Sequence, residues 1–100
     1  MTWKTLTFDE GLEMIKDKHV LVLDIRDREE YDSFHLDQAL CLPFNQVLAR
    51  AGDFIKDPEQ VVVVYCSRGI RSRYAAFFLC ELGFKSVYDM GGIDQEASNK

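Results

Sequence analysis

The sequence predicts an α/β domain whose central, mostly parallel sheet is flanked by helices on both faces. Two segments, residues 20–25 and 61–65, are almost entirely apolar and rich in β-branched side chains, which is typical of strands in the middle of a sheet. Segments with the apolar spacing of helices lie before and after these strands. Strands that alternate with helices form parallel pairs joined by crossover helices.

The first helix is predicted from a capping box. Thr7 can accept a hydrogen bond from the first helical turn, and Glu10, three residues later, can reach back to the Thr7 backbone. Phe8, Leu12 and Ile15 then follow at positions i, i+4 and i+7. This spacing predicts a helix of about ten residues.

The middle of the chain carries weaker signals. Residues 26–31 alternate in charge and predict a short exposed helix or a turn. Residues 39–42 form a brief apolar stretch that Pro43 closes. The apolar positions within residues 44–51 indicate another short helix, which we expect to end at Gly52.

The helix that follows the second strand has the clearest pattern in the chain. Its apolar residues recur at helical spacing: Ala75, Phe78, Leu79 and Leu82. Gly83 stands where a helix commonly ends in the left-handed conformation. Residues 86–88 predict a short last strand before Gly91 and Gly92.

Length and charge limit the possible functions. The 100 residues are 47% hydrophobic and 29% charged, so we expect a single domain that spans residues 1–100. The 12 basic residues are outnumbered by 17 acidic ones, which argues against a nucleic-acid partner. No apolar run approaches the roughly 20 residues of a membrane span, and the first residues do not resemble a secretory signal. We therefore expect a cytoplasmic protein without a membrane partner.

The cysteines point to a reactive thiol and away from a disulfide or a metal. Cys41, Cys66 and Cys80 are odd in number and lack the paired spacing of disulfide frameworks and zinc sites. Cys66 opens the loop after the second strand, at the sheet edge where α/β proteins bind ligands. Cys41 lies in an apolar stretch and Cys80 within a helix, so both are predicted to be packing residues.

Residues 66–72, Cys-Ser-Arg-Gly-Ile-Arg-Ser, combine a thiol with groups that stabilise negative charge. The next helix is expected to begin near Arg71–Ser72, so that its free N–H groups face this loop. No acidic residue occurs in residues 60–80, and three arginines add positive charge: Arg68, Arg71 and Arg73. Gly69 allows the backbone to turn so that its amides converge. An isolated cysteine would be interpreted as an inert core residue, but this setting favours the nucleophilic thiolate.

The same loop resembles the active-site loop of rhodanese-type sulfurtransferases, which has the pattern C-x-x-G-x-R-S after an apolar strand. Residues 22–26 with Glu30-Tyr31 resemble the D-[VI]-R…E-[YF] segment of that family, and residues 82–93 resemble its L-G-[FY]…G-G segment. The similarity follows the family order over nearly the whole chain.

The resemblance implies a single rhodanese-like domain in which Cys66 carries sulfur. Such enzymes take a sulfane sulfur from a donor such as thiosulfate, hold it as a cysteine persulfide and pass it to cyanide or a thiol, without a metal or organic cofactor. The acceptor could also be a protein. The resemblance implies that the loop amides cradle the persulfide and that Arg68 and Arg71 attract the anionic donor. The substrate-binding residues would be Ser67, Arg68, Gly69, Ile70 and Arg71.

Three further residues are supporting candidates. Asp24 and Arg26 end the strand expected next to the Cys66 strand. Either Asp24 orients loop groups while Arg26 aids anion binding, or the two form a structural ion pair, and the sequence leaves both roles open. Ser72, at the expected helix start, is the third candidate.

Two other functions compete with sulfur transfer. Protein tyrosine phosphatases use a C-x5-R loop, whereas Arg71 gives C-x4-R here and Ser72 stands where a phosphatase needs its arginine, so oxyanion chemistry is disfavoured. A non-catalytic protein-docking or sulfur-sensing module of the same fold is the stronger alternative. The intact loop around Cys66 favours the enzyme.

Overall fold

The computed structural model describes residues 2–94, and its sheet pairs five strands in parallel. The strands are β1 (Lys4–Thr5), β2 (Leu21–Asp24), β3 (Leu40–Cys41), β4 (Val61–Cys66) and β5 (Ser86–Gly92). Their spatial order is β1-β5-β4-β2-β3, so β4 lies at the centre. The predicted α/β class and parallel sheet are confirmed. Residues 1 and 95–100, which the expected domain includes, lie outside the described residues.

Helices cover both faces of the sheet. They are α1 (Phe8–Met14), α2 (Arg28–Ser33), a single 3-10 turn (Phe44–Gln46), α3 (Val47–Phe54) and α4 (Ile70–Glu81). None of the helices within residues 2–94 has the length and apolar character needed to cross a bilayer.

The alternation of side chains along β4 divides the core into two clusters. Val62 and Val64 belong to the cluster that includes buried residues of α3 and α4. Val63 and Tyr65 belong to the opposite cluster, against which the apolar residues of α1 pack. Helices on both faces therefore bury the central strand, as its continuous apolar sequence predicts.

The capping box at the start of α1 is confirmed. The Glu10 backbone N–H donates to Thr7 Oγ1 at 3.0 Å, and the Thr7 backbone N–H donates to Glu10 Oε1 at 2.8 Å. The helix itself has 7 residues, fewer than the spacing predicts. Ile15 nevertheless packs in the core as the residue that caps the helix end.

Two helix boundaries differ from the sequence prediction. α3 continues through Gly52 to Phe54. Gly52 is exposed and does not adopt the left-handed conformation that would end the helix. A glycine inside a helix costs only about 0.5–1 kcal/mol, so it does not have to end one. α4 begins at Ile70, slightly earlier than predicted, and Gly83 has the expected left-handed φ of 101° at its end.

The strands at one side of the sheet also differ from the prediction. β5 runs from Ser86 through Gly92, and Gly92 pairs with Cys66 of β4. β1, with two exposed residues, was missed because a strand this short has no apolar alternation. The extension of β5 brings residues 91–92 directly to the loop that follows Cys66.

Candidate active site

Cys66 is the last residue of β4 and is buried, with 1% of its surface exposed. Its Sγ accepts a hydrogen bond from the Gly69 N–H at 3.0 Å and a weaker one from the Ser72 N–H at 3.3 Å. Both amides belong to the first turn of α4, where N–H groups have no partner within the helix. The sulfur therefore lies at the positive end of a 12-residue helix.

Gly69 makes this arrangement possible. Its φ of 88° places it in the left-handed region, where a residue with a Cβ is strained, and it caps α4. Through this turn the chain leaves the strand and starts the helix within three residues, and the amide of Gly69 points at the sulfur.

A cavity of about 450 Å³ opens beside Cys66. It is lined by Glu30, Cys66, Ser67, Arg68, Ile70, Arg71 and Asp94. The structure thus gathers the predicted loop residues around one space, with Gly69 contributing its amide. Arg68 is exposed and forms no ion pair with any residue of the described part of the chain.

Arg71 does not face the cavity as a free cation. Its Nη1 and Nη2 donate to the two carboxylate oxygens of Glu30 at 2.9 and 3.2 Å. The Ser67 hydroxyl donates to the same carboxylate at 2.8 Å. The hydrogen bonds from Arg71 lower the pKa of Glu30 to about 2, and Glu30 raises the pKa of Arg71. Residues 60–80 contain no acidic residue in sequence, but the fold brings the Glu30 carboxylate to the loop, where it pairs with Arg71.

Glu30 comes from α2, and its position follows from local capping. Its backbone lies in the first turn, and its Oε1 accepts a hydrogen bond from the Asp27 N–H at 3.0 Å. The sequence contained two signals for it: the acidic residue three positions after Asp27, and the matching glutamate of the family segment. Neither signal alone shows that the same carboxylate reaches Arg71.

Ser72 contributes its side chain as well as its amide. The fully buried hydroxyl donates to Asp89 Oδ1 at 2.7 Å, and the Gly91 N–H donates to the same oxygen at 2.9 Å. Asp89, which the sequence analysis did not identify, therefore ties the first turn of α4 to β5. This link fixes the amide that contacts Cys66 Sγ.

Asp24 and Arg26 form a buried ion pair with 2.8 Å between Arg26 Nη2 and Asp24 Oδ2. The Tyr65 hydroxyl donates to Asp24 at 2.7 Å, and Arg26 also donates to the Phe34 carbonyl at 2.6 Å. Burial, together with the Asp24 carboxylate, raises the pKa of Tyr65. None of these contacts involves residues 66–72. The sequence left two roles open for Asp24 and Arg26, and these contacts favour the structural ion pair.

The other two thiols lie away from this cavity. Cys80 is buried within α4, as a packing residue should be, and burial raises the pKa of its thiol. Cys41 is only half-buried and lines a different cavity of about 540 Å³. It is therefore not fully enclosed in the core, as the predicted packing role would require. Both are free thiols.

Gly92 packs against the loop so closely that it leaves no room for a side chain. A Cβ there would lie 2.5 Å from Arg68 Cα. We expect Gly92→Ala to lower the free energy of unfolding by about 1–3 kcal/mol, because the loop backbone must move. Gly52→Ala is the matched control, since a Cβ there meets nothing within 4 Å. Urea titrations that show no loss for Gly92→Ala would contradict this packing.

Comparison with known proteins shows the family of this chain. A family model described as Rhodanese-like domain matches residues 7–96. Thiosulfate sulfurtransferase GlpE of Coxiella burnetii is 34% identical, over 94% of this chain and 87% of the relative. The tRNA uridine(34) hydroxylase of Hamiltonella defensa is 40% identical over 92% of this chain. This chain corresponds to 27% of that hydroxylase, about a quarter of its length.

Solved structures give the same result. A rhodanese with anions from E. coli has a TM-score of 0.71 at 32% identity, over 75% of this chain and 89% of that chain. The human single-domain sulfurtransferase TSTD1 has a TM-score of 0.79 at 20% identity, over 96% of both chains, and shows the shared fold. The similarities support an enzyme of the sulfurtransferase type. Because the family model matches most of the sequence, this chain belongs to the rhodanese-like domain family.

Proposed function

We propose that this chain is a sulfurtransferase in which Cys66 carries a sulfane sulfur, as a persulfide, from an anionic donor such as thiosulfate to cyanide or a thiol. The observation that carries the proposal is the pair of backbone N–H groups, from Gly69 and Ser72, that donate to Cys66 Sγ beside a cavity. Backbone amides in this arrangement stabilise negative charge on sulfur. The proposal concerns one domain over residues 1–100.

The first step loads the sulfur. The Cys66 thiolate attacks the outer sulfur of thiosulfate, and a new S–S bond forms as the bond between the two thiosulfate sulfurs breaks. Sulfite leaves with the electron pair, and the persulfide keeps one negative charge. Arg68, the exposed cation of the cavity, attracts the dianion.

The second step unloads it. Cyanide attacks the terminal sulfur of the persulfide, the S–S bond breaks, and thiocyanate leaves while the Cys66 thiolate is restored. The two steps balance in atoms and charge, and neither step uses a metal or an organic cofactor. A thiol acceptor reacts in the same way and leaves as its own persulfide.

The test is turnover by the wild-type protein with thiosulfate and cyanide. We expect thiocyanate to form catalytically, at many equivalents per protein. If the chain is instead a docking or sulfur-sensing module, the protein should be folded but form no thiocyanate. Hydrolysis of an aryl phosphate by the same preparation would indicate oxyanion chemistry instead.

Arg71→Ala is expected to reduce the use of dianionic thiosulfate more than that of a monoanionic aryl thiosulfonate. Without Arg71, the carboxylate of Glu30 remains beside the cavity with no cation to pair it, and it repels the dianion more strongly. We expect kcat/KM for thiosulfate to fall by about tenfold relative to the thiosulfonate.

The double variant Glu30→Gln with Arg71→Ala is the control for this explanation. It removes both charges of the pair, so the ratio between the two donors should return toward that of the wild type. Equal losses for both donors in the single variant would rule out a role of this pair in donor charge selection.

A further inference from the structure

The outward face of α4 is apolar over its first two turns. Ile70, Tyr74 and Phe77 follow at i, i+4 and i+7 and are 65%, 55% and 42% exposed. The opposite face of the same helix is buried in the core through Ala75 and Leu79. A surface helix of a globular protein normally turns polar side chains to water, so a row of three large exposed side chains of this kind is unusual. We call these three exposed side chains the α4 outer face.

A groove lies next to this face. Trp3 packs edge-on against Phe77, with 6.1 Å between ring centroids. The groove has a volume of about 390 Å³ and is lined by Trp3, Arg73, Tyr74, Phe77 and Phe78. Aromatic side chains around a concave surface are typical of the anchor pockets of protein interfaces.

The α4 outer face is continuous with the Cys66 cavity. Ile70 belongs to both, since it begins the exposed row and also lines the cavity. At the helical rise of about 1.5 Å per residue, Phe77 lies roughly 10 Å further along the helix. A bound segment that covers this face therefore ends beside the thiol.

The charges at the face favour an acidic partner. Arg68 and Arg73 are exposed, and neither forms an ion pair with another residue among positions 2–94. The chain as a whole has a net charge of −5, so these two cations are a local exception. Complementary charge speeds association and selects partners.

We propose that the α4 outer face docks the sulfur acceptor, a protein segment that presents a cysteine thiol next to apolar and acidic side chains. The proposal rests on the proposed function and specifies its acceptor. The acceptor thiolate attacks the terminal sulfur of the Cys66 persulfide, so that the acceptor becomes the persulfide and the Cys66 thiolate is released. Cyanide is small enough to react without docking.

Two synthetic peptides test the proposal. One has a cysteine flanked by leucines and glutamates, and its control replaces the leucines by serines and the glutamates by lysines. Persulfide-loaded protein is mixed with each peptide, and the gain of sulfur by the peptide is followed by mass spectrometry. We expect the acidic apolar peptide to react about tenfold faster than its control.

Variants locate the effect on the protein. Tyr74→Ser with Phe77→Ser should slow transfer to the acidic apolar peptide by about tenfold and leave thiocyanate formation unchanged. Leu48→Ser is the matched control, because Leu48 is 57% exposed on α3 and outside the groove. Arg73→Glu should slow transfer to the acidic apolar peptide and speed transfer to the basic control peptide. This variant tests the charge beside the face without removing an apolar side chain.

Two results would overturn the proposal in a protein that still forms thiocyanate. One is equal rates of sulfur transfer to the two peptides, and the other is equal rates of transfer from the wild type and from the Tyr74/Phe77 variant. A dimer in sedimentation experiments that the same variant abolishes would also overturn it, since a second copy would then cover the face. If the wild type forms no thiocyanate, the proposed function fails first, and the docking proposal fails with it.

Discussion

Cys66→Ala is expected to reduce thiocyanate formation from thiosulfate and cyanide by about a thousandfold or more, because it removes the atom that carries the sulfur. The N–H groups of Gly69 and Ser72 remain in the variant, but they have no nucleophile to stabilise. The measurement is steady-state turnover of purified proteins, with circular dichroism to confirm that the variant is folded.

Two matched controls separate the role of Cys66 from a general effect of losing a thiol. Cys41→Ala and Cys80→Ala remove thiols that lie outside the Cys66 cavity. Both variants are expected to keep turnover within a few-fold of the wild type, because neither sulfur contacts the loop. Activity retained by Cys66→Ala, or lost in a folded Cys41→Ala, would place the carrier elsewhere.

Arg26→Met is expected to lower the free energy of unfolding by about 3–5 kcal/mol, since it leaves the Asp24 carboxylate buried without its cation. That is a large fraction of the roughly 5–15 kcal/mol by which a domain is stable. Arg28→Met is the matched control, because Arg28 forms an exposed pair with Asp32 at 3.8 Å and should cost less than about 1 kcal/mol. Urea titrations of the three proteins give the comparison.

Turnover distinguishes this structural role from a role in substrate binding. Corrected for the folded fraction, Arg26→Met should keep the wild-type KM for thiosulfate, because the side chain contacts Asp24 and Phe34 and none of the loop. A stable variant with a strongly raised KM would show that Arg26 binds the anionic donor.

The fold could be predicted because its strongest signals are local. The continuous apolar run that became β4, the capping box at Thr7 and the left-handed glycine at position 83 each determine one element from a few neighbouring residues. The predicted end of α3 at Gly52 was wrong, because packing of the helix overrides the conformational preference of a single exposed glycine. β1 is short enough that only its pairing with β5 defines it.

For the site as well, the parts that are local in sequence could be predicted and the parts that depend on tertiary packing could not. The loop after Cys66 was visible because the thiol, the glycine and the helix start lie within seven consecutive residues. Glu30, Asp89 and Gly92 reach the loop from other elements, so their roles depend on the packing of α2 and β5 against it. The sequence shows the charge of Arg71 but not the carboxylate that pairs with it.

The claim that Cys66 carries a transferable sulfur is tested most directly by the intact mass of the protein after incubation with thiosulfate and removal of small molecules. We expect one adduct of about 32 Da, mapped to the peptide that contains Cys66, which cyanide removes while an equal amount of thiocyanate forms. A folded protein without the adduct, or an adduct on another cysteine, would contradict the account.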